Sequence, residues 1–316
     1  MTRRTPRVVA LGGGHGLAAS LTALRQVTRD LTAVVTVADD GGSSGRLREE
    51  FGVLPPGDLR MALAALCDED LWGETWAKVL QHRFASEGEL DGHSTGNLLI
   101  VTVWDLLGDH VKGLDLVGQL LGARGRVLPM ALDPLVITAT VQGADPAKPD
   151  EVTLVEGQVE VATTGGRLLE VGIQPQHPTP CPQALAAIAE ADWVVLGPGS
   201  WYTSVIPHVL VPELREALCA TPARVLVNLN LQAQEGETEG LSPADHYRVL
   251  LAHAPGLKVD TVLADSHAVA DLAALRSVVV ESGAELVCDD IARVDVTDQH
   301  HPGKLALAYA RLMAGS

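Results

Sequence analysis

The chain has 316 residues, 47% of them hydrophobic and 20% charged, enough for one large or two ordinary globular domains. A formal charge of −17 and an aromatic content of only 3% argue against a surface that coats nucleic acid or stacks single-stranded bases. They leave an anionic small molecule open, because a pocket can be locally positive through Arg, backbone N–H groups or a metal ion.

Arg3 and Arg4 precede a short apolar run, Val8–Leu11, that ends in Gly12-Gly13-Gly14-His15-Gly16. This is not a signal peptide, and no stretch approaches the length of a membrane span. Cys67, Cys181, Cys219 and Cys288 stand far apart without a CxxC pair, as small hydrophobes do in a reducing cytosol. A cytoplasmic protein is the expectation. The apolar run, the glycines and the helical pattern after them predict strand, tight turn and helix. Such a turn presents free N–H groups and the positive end of the helix dipole, where phosphate binds. The dinucleotide pattern fits only as Gly14-x-Gly16-x-x-Ala19, and the terminal Lys of a P-loop is missing. A tight turn without a ligand is the competing explanation.

Leu31–Ala38 reads as a buried parallel strand. It runs into Asp39-Asp40-Gly41-Gly42-Ser43-Ser44-Gly45-Arg46. In a doubly wound sheet this loop would line the ligand crevice. Asp39 and Asp40 could hold a ribose hydroxyl, although they lie beyond the spacing of about 20 residues usual for that contact. The same pair could hold Mg²⁺ bridging phosphates. A hydrophilic loop built on Asx turns would look similar. Farther on, Asp58 has the position of an N-cap for the helix Leu59–Cys67. Arg60 in its first turn opposes the dipole, which a ligand anion, a carboxylate partner or exposure would resolve. Glu69–Phe84 predicts a helix carrying Trp72 and Trp76, read as core or partner-facing. Gly92-His93-Ser94-Thr95-Gly96-Asn97 then opens another apolar helix. His93 and Asn97 sit beside its N-terminus, where an anion or carbonyl group is favoured.

From about 126 to 180 the texture changes to short runs: Val127–Leu132, Leu135–Val141, Val152–Val155, Gln158–Val161 and Leu168–Ile173. These predict a mostly antiparallel β segment inserted between two α/β halves of a single domain spanning 1–316. The α/β rhythm resumes with a helix at Pro182–Glu190 and a strand at Asp192–Leu196. That strand ends in Gly197-Pro198-Gly199-Ser200-Trp201-Tyr202-Thr203-Ser204, a second glycine-rich loop whose hydroxyls suit phosphate or sugar, or which simply caps a helix. Ala223–Leu229 is the next strand and leads into Asn230. Several such loops at one edge of a parallel sheet would form a ligand site.

Taken in order, these motifs resemble the YvcK family, the gluconeogenesis-factor or UPF0052-type proteins of the CofD-like superfamily. The resemblance rests on Ala10–Leu17, Val35–Arg48, Leu54–Arg60, Gly92–Leu98, Gly197–Ser204 and Gly236-Glu237-Thr238. It implies a Rossmann-like three-layer α/β/α fold with a mostly parallel sheet. It also implies a pocket for a UDP-sugar such as UDP-N-acetylglucosamine, and links to cell shape, wall synthesis and gluconeogenic growth. Related CofD enzymes are Mg²⁺-dependent transferases that move a phospholactyl group from a nucleotide-diphosphate donor to a deazaflavin. On this reading Gly12–Gly16 hold the diphosphate, Asp39 and Asp40 bind ribose or Mg²⁺, and Ser43, Ser44 and Arg46 touch phosphate. Asn97, Ser200, Tyr202 and Thr203 line the rest, with Asp58, Arg60, His93, Gly197, Gly199 and Asn230 close by. His15 stands where many relatives have Thr. Met61, Trp201, His208, Ala233 and Glu235 also depart from common residues, and no ligand role is carried to Met61, Ala233 or Glu235. No residue is compelled to be a nucleophile, so no catalytic residue is assigned. A homodimer is an analogy from fold alone.

Overall fold

The computed structural model describes residues 4–234, 237–296 and 298–314. Ten strands and thirteen α-helices among them form two sheets and their covering layers. The large sheet has seven parallel strands. In chain order they are β1 (Arg7–Gly12), β2 (Asp30–Val35), β3 (Arg126–Pro129), β7 (Trp193–Leu196), β8 (Arg224–Asn228), β9 (Thr261–Asp265) and β10 (Glu285–Asp289). Their order across the sheet is β10-β9-β8-β7-β1-β2-β3. Val8–Leu11, Val194–Leu196 and Val225–Val227 are buried on both faces, which is why these runs read as continuous rather than alternating.

Helices cover the sheet and complete a three-layer α/β/α fold. Helix α1 (Gly14–Leu24) packs against α3 (Gly57–Leu66) and the closing helix α13 (Pro302–Ala314). Ser20 of α1 shares a hydrogen bond of 2.7 Å with the buried Tyr309 hydroxyl of α13. Helix α8 (Pro182–Glu190) packs on β1 and β3, with α10 (Pro212–Ala220) beside it. No helix among the described residues is long and apolar enough to cross a membrane.

The chain leaves β1 toward β2 and β3 on one side, then returns to place β7 on the other side of β1. This reversal is the topological switch point of an open α/β sheet, where the crevice beyond the strand ends receives ligand. The excursion carries α2 (Gly42–Phe51), α4 (Leu71–Gln81), α5 (Thr95–Leu107) and α6 (His110–Leu121), then a small antiparallel sheet ordered β5-β4-β6. That sheet comprises β4 (Val136–Gln142), β5 (Val152–Glu156) and β6 (Arg167–Gln174), with helix α7 (Gln158–Thr163) between the last two. On β4, Ile137, Ala139 and Val141 alternate inward.

Four sequence expectations change. Val127–Leu132 was grouped with the antiparallel segment, but β3 pairs in parallel with β2, its Val127 and Leu128 buried in the main sheet. The inserted sheet therefore runs from 136 to 174. Gln158–Val161 is helix α7 rather than a strand, because the distant Asp40 carboxylate accepts from the N–H groups of Gln158 (2.7 Å) and Val159 (3.2 Å). Asp58 lies inside the first turn of α3, whose N-cap is Pro56. The helix expected at Glu69–Phe84 is shorter, because Asp70 caps it by accepting from the Gly73 N–H at 2.7 Å.

The two glycine loops touch. A Cβ on Gly16 would lie 2.3 Å from the Pro198 carbonyl oxygen and 2.5 Å from the Gly199 Cα. Both neighbours are backbone, so Gly16→Ala must push the loops apart, at about 1–3 kcal/mol. Gly88→Ala meets open space and stays within about 0.5 kcal/mol of wild type. Urea denaturation of the two variants checks this, and equal midpoints would contradict the loop contact.

Candidate functional site at the switch point

The carboxyl ends of β1 and β7 open into a cavity of ≈ 710 Å³. One wall is the first glycine turn. Gly14 takes φ +57°, which a side chain rarely adopts, and Gly13 has no room for one: its Cβ would lie 2.5 Å from Asp58 Oδ2. Helix α1 starts there with no side-chain cap and no acid in its first turn. Gly14 N–H is bonded to Asp58. The following N–H groups, those of His15 and Gly16, have no acceptor within the helix. They and the positive end of the dipole face the cavity that Gly13–Gly16 line, with His15 exposed.

The opposite wall is the second glycine loop, which ends in a π-helical turn, Trp201–Val205. Asn230, just past β8, grips it at both polar atoms. Its Oδ1 accepts from Gly199 N–H at 2.9 Å and its Nδ2 donates to the Gly199 carbonyl at 2.8 Å. Gln234 Nε2 donates to Ser200 Oγ at 3.0 Å. Ser200, Gly199 and Asn230 line the cavity as expected. Gly12 and Gly197 close the strand ends behind it, buried.

Three carboxylates line this space, those of Asp39, Asp58 and Asp298, and Asp40 is not among them. Asp40 is committed to the N-terminus of α7 and lines a different cavity. Asp58 Oδ2 is buried without a hydrogen-bond partner. Burial, and then repulsion by Asp39, push its carboxyl up to about 7, against the Gly14 N–H and Arg60. Asp39 is raised too, chiefly by burial, while the Ser44 hydroxyl and Gly41 N–H hold it down. A buried, unsatisfied carboxylate oxygen beside a second acid suits a hard divalent cation such as Mg²⁺, so the residues present fit one here. Arg60 sits behind the acids, buried; its Nε donates to Asn97 Oδ1 at 2.9 Å and its guanidinium to Gln81. Burial and Arg83 push it down to about 10, against the two acids. A carboxylate field thus answers the question of a cation in the first turn of α3.

Other expected ligand residues lie elsewhere. Ser43 is buried, and its Oγ accepts from Asn97 Nδ2 at 3.0 Å and from Ser94 N–H at 3.3 Å. Its own proton is left for His93 Nδ1, 3.0 Å away. Ser43, His93 and Asn97 therefore form a closed network outside the main cavity. Arg46 reaches the carbonyls of Glu89 and Asp91, and with Gly42 and Ser43 lines a second cavity. Ser44 stays with Asp39, and Gly41 lies between Asp39 and α7. The N–H groups of Tyr202 and Thr203 are already taken by Glu237 Oε1, at 2.6 and 2.8 Å. They are anchors of the loop rather than phosphate donors, and Tyr202 lines another depression beside Glu237.

Glu237, Gln234, Gln158 and His300 were not among the expected site residues. The Gly236-Glu237-Thr238 motif marked the place, although Gly236, like Glu235, lies outside the described residues. His300 gives no sequence signal, since β9, β10 and the loop after them must fold back before it reaches the cavity. Burial pushes His300 down to about 4, against Asp265 and the Leu229 main chain, and its Nε2 is buried without a partner. Met61 and Ala233 also line the cavity, whereas Trp201 and His208 are wholly buried.

The state of Asp58 can be read from stability. Its folded pKa lies above the ordinary 3.8, so the fold holds the proton more tightly than the unfolded chain does. Stability from this group is complete at low pH and falls as pH rises from 3.8 through about 7. Asp58→Asn removes the penalty and keeps an acceptor for Gly14 N–H. The variant is expected to be more stable than wild type at pH 8, by on the order of 3 kcal/mol, and equal to it near pH 4. Denaturant titrations at the two pH values measure this; a variant less stable at pH 8 would contradict the buried-acid reading.

The sequence pattern of the family described as 2-phospho-L-lactate transferase CofD matches residues 8–300. A candidate gluconeogenesis factor of Mycobacterium tuberculosis is 52% identical over 305 residues, covering 96% of this chain and 89% of that protein. The gluconeogenesis factor of Bacillus subtilis is 38% identical over 266 residues, covering 84% and 80%. A crystal structure of a UPF0052 family member from Bacillus halodurans superposes with a TM-score of 0.86 at 33% identity, over 96% of this chain and 98% of that one. The chain belongs to the CofD family, in the branch of the gluconeogenesis factors, or UPF0052 proteins.

Proposed function

We propose that this protein binds a nucleoside-diphosphate sugar of the UDP-N-acetylglucosamine kind and acts as a cytoplasmic regulator of cell-wall synthesis, cell shape and gluconeogenic growth. The observation that carries the binding part is the uncapped N-terminus of α1 at the switch point, held against a second glycine loop. The diphosphate lies on the N–H groups of His15 and Gly16. The cavity of ≈ 710 Å³ is of the size that encloses a small molecule. Ser200 Oγ offers a polar contact to the sugar, and a ligand group satisfies the His300 ring. Charge–dipole contacts at a helix N-terminus contribute about 0.3–1 kcal/mol each, so affinity depends on the whole pocket. The regulatory part rests on the family resemblance and on the names its relatives carry.

Isothermal titration with UDP-N-acetylglucosamine, with and without Mg²⁺, tests the binding. Saturable heat is expected, at least tenfold weaker for Gly16→Ala than for wild type. No saturable heat with any UDP-sugar, in either condition, would overturn the reading.

The acid pair favours a second reading, a transferase of the CofD kind. Asp39 and Asp58 would hold Mg²⁺, which would supply charge neutralisation on a bound diphosphate. Without a cation, burial and Asp39 push the Asp58 carboxyl up to about 7; a bound Mg²⁺ would counter both effects and hold Asp58 as the carboxylate that ligates it. The α1 N-terminus orients the diphosphate, and the loop pair excludes water. Incubation with a nucleotide-diphosphate donor and a deazaflavin acceptor should release nucleoside monophosphate. No release at high protein concentration would reject this reading and leave the binding reading intact.

A further inference from the structure

A second cavity, also ≈ 710 Å³, borders the same 39–46 segment, with Asp40 on its wall in place of Asp39. Three guanidiniums line it: Arg46 and Arg48 from α2, and Arg83 just after α4. The chain has 40 acidic and 23 basic residues, so a concavity with three arginines runs against its composition.

Each guanidinium is fixed by main-chain carbonyls rather than by a carboxylate. Arg46 donates to the Glu89 carbonyl at 3.1 Å and to the Asp91 carbonyl at 2.6 Å. Arg48 donates to Leu135 at 2.7 Å and Arg83 to Gly92 at 2.8 Å. A guanidinium has five N–H donors, so these contacts position the three groups and leave donors over. Carbonyls also leave the positive charge in place. Two acids share the cavity, Asp40 and Glu49. Asp40 accepts one N–H group of α7 at each oxygen, and its charge, with that of Asp39, acts on Arg48, which leaves Arg46 and Arg83 as the less compensated pair. Helix α2 begins at this wall with Gly41 as its N-cap, no side-chain cap and no acid in its first turn. Its dipole adds to the arginine field. His93, behind Ser43, registers that field: it is held below its ordinary value by burial first and by Arg46 second.

We propose that this cavity binds the phosphate group of a small phosphate monoester, at a site separate from the switch point. Arginine forks match phosphate oxygens in pairs, and three of them beside a helix N-terminus suit a dianion better than a single carboxylate. The volume suits a small molecule rather than a bare ion. The buried Ser43–His93–Asn97 network ties the first turn of α2 to the His93 loop, and Arg46 and Arg83 both donate to carbonyls of the 89–92 segment that leads into it.

The test uses the wild-type protein and no nucleotide. Phenylglyoxal modification of arginines is followed by peptide mass spectrometry, with and without phenyl phosphate or inorganic phosphate. Arg46 and Arg83 are expected to react at least fivefold more slowly with either phosphate present, while exposed Arg248 is unchanged. Calorimetric titration of phenyl phosphate should weaken at least tenfold in Arg46→Ala and in Arg83→Ala, and less in Arg83→Lys. Equal reactivity of Arg46, Arg83 and Arg248 under all conditions would overturn the proposal. So would titrations unaffected by the substitutions. Protection by a phosphoserine peptide with none by phenyl phosphate would reject the small-molecule assignment. Neither arginine lines the switch-point cavity, so failure here leaves the nucleotide reading standing.

Discussion

The structure depends on one close approach, that of Gly16 to the main chain at Pro198 and Gly199. Parallel strands β1 and β7 meet at the switch point, and each ends in a loop with glycine where a side chain would strike its surroundings, at Gly13 and Gly16 in one and Gly197 in the other. Because backbone meets backbone, the N-terminus of α1 and the π-helical turn face one cavity at fixed separation. Asn230 holds the second loop from the β8 side through both atoms of its amide. The crevice is thus assembled from three adjacent strand ends, and loops alone would not give it this rigidity.

Carboxylates divide the work around that crevice. Asp40 leaves the pocket to cap α7 and so ties the inserted sheet to the loop after β2. Glu237 takes the free N–H groups of the turn at Tyr202 and Thr203. Asp58 keeps one oxygen without a partner. Burying an unpaired carboxylate is unfavourable, and the protein answers by raising its pKa. Of these three acids only Asp58 lines the switch-point cavity, together with Asp39 and Asp298, and a bound cation or the hydroxyl of a ligand would relieve the repulsion between Asp39 and Asp58.

Local patterns made much of this legible. The apolar runs at Val8–Leu11 and Leu31–Ala38, each ending in glycine or aspartate, located two central strands and their loops. The glycine turn at Gly12–Gly16 and the loop from Gly197 were found because backbone crowding demands glycine, and glycine is visible in sequence. What escaped was set by partners far along the chain. Asp39 and Asp40 look alike in sequence, yet one faces the cavity and the other caps a helix that begins 118 residues later. Gln158–Val161 has the residues of a strand and is helical because that cap exists. Arg46 reads as a phosphate ligand of the first loop, but α2 turns it toward the second cavity. His300 arrives only after the last strands close the sheet.

The central claim is that a nucleotide diphosphate sits on the N-terminus of α1 between the two glycine loops. A crystal structure of the protein grown with UDP-N-acetylglucosamine and Mg²⁺ addresses it most directly. The account predicts density for the diphosphate within hydrogen-bonding distance of the His15 and Gly16 N–H groups, with any cation on Asp39 and Asp58. Nucleotide density at the arginine-lined cavity, or elsewhere on the sheet edge with the α1 N-terminus bare, would contradict it.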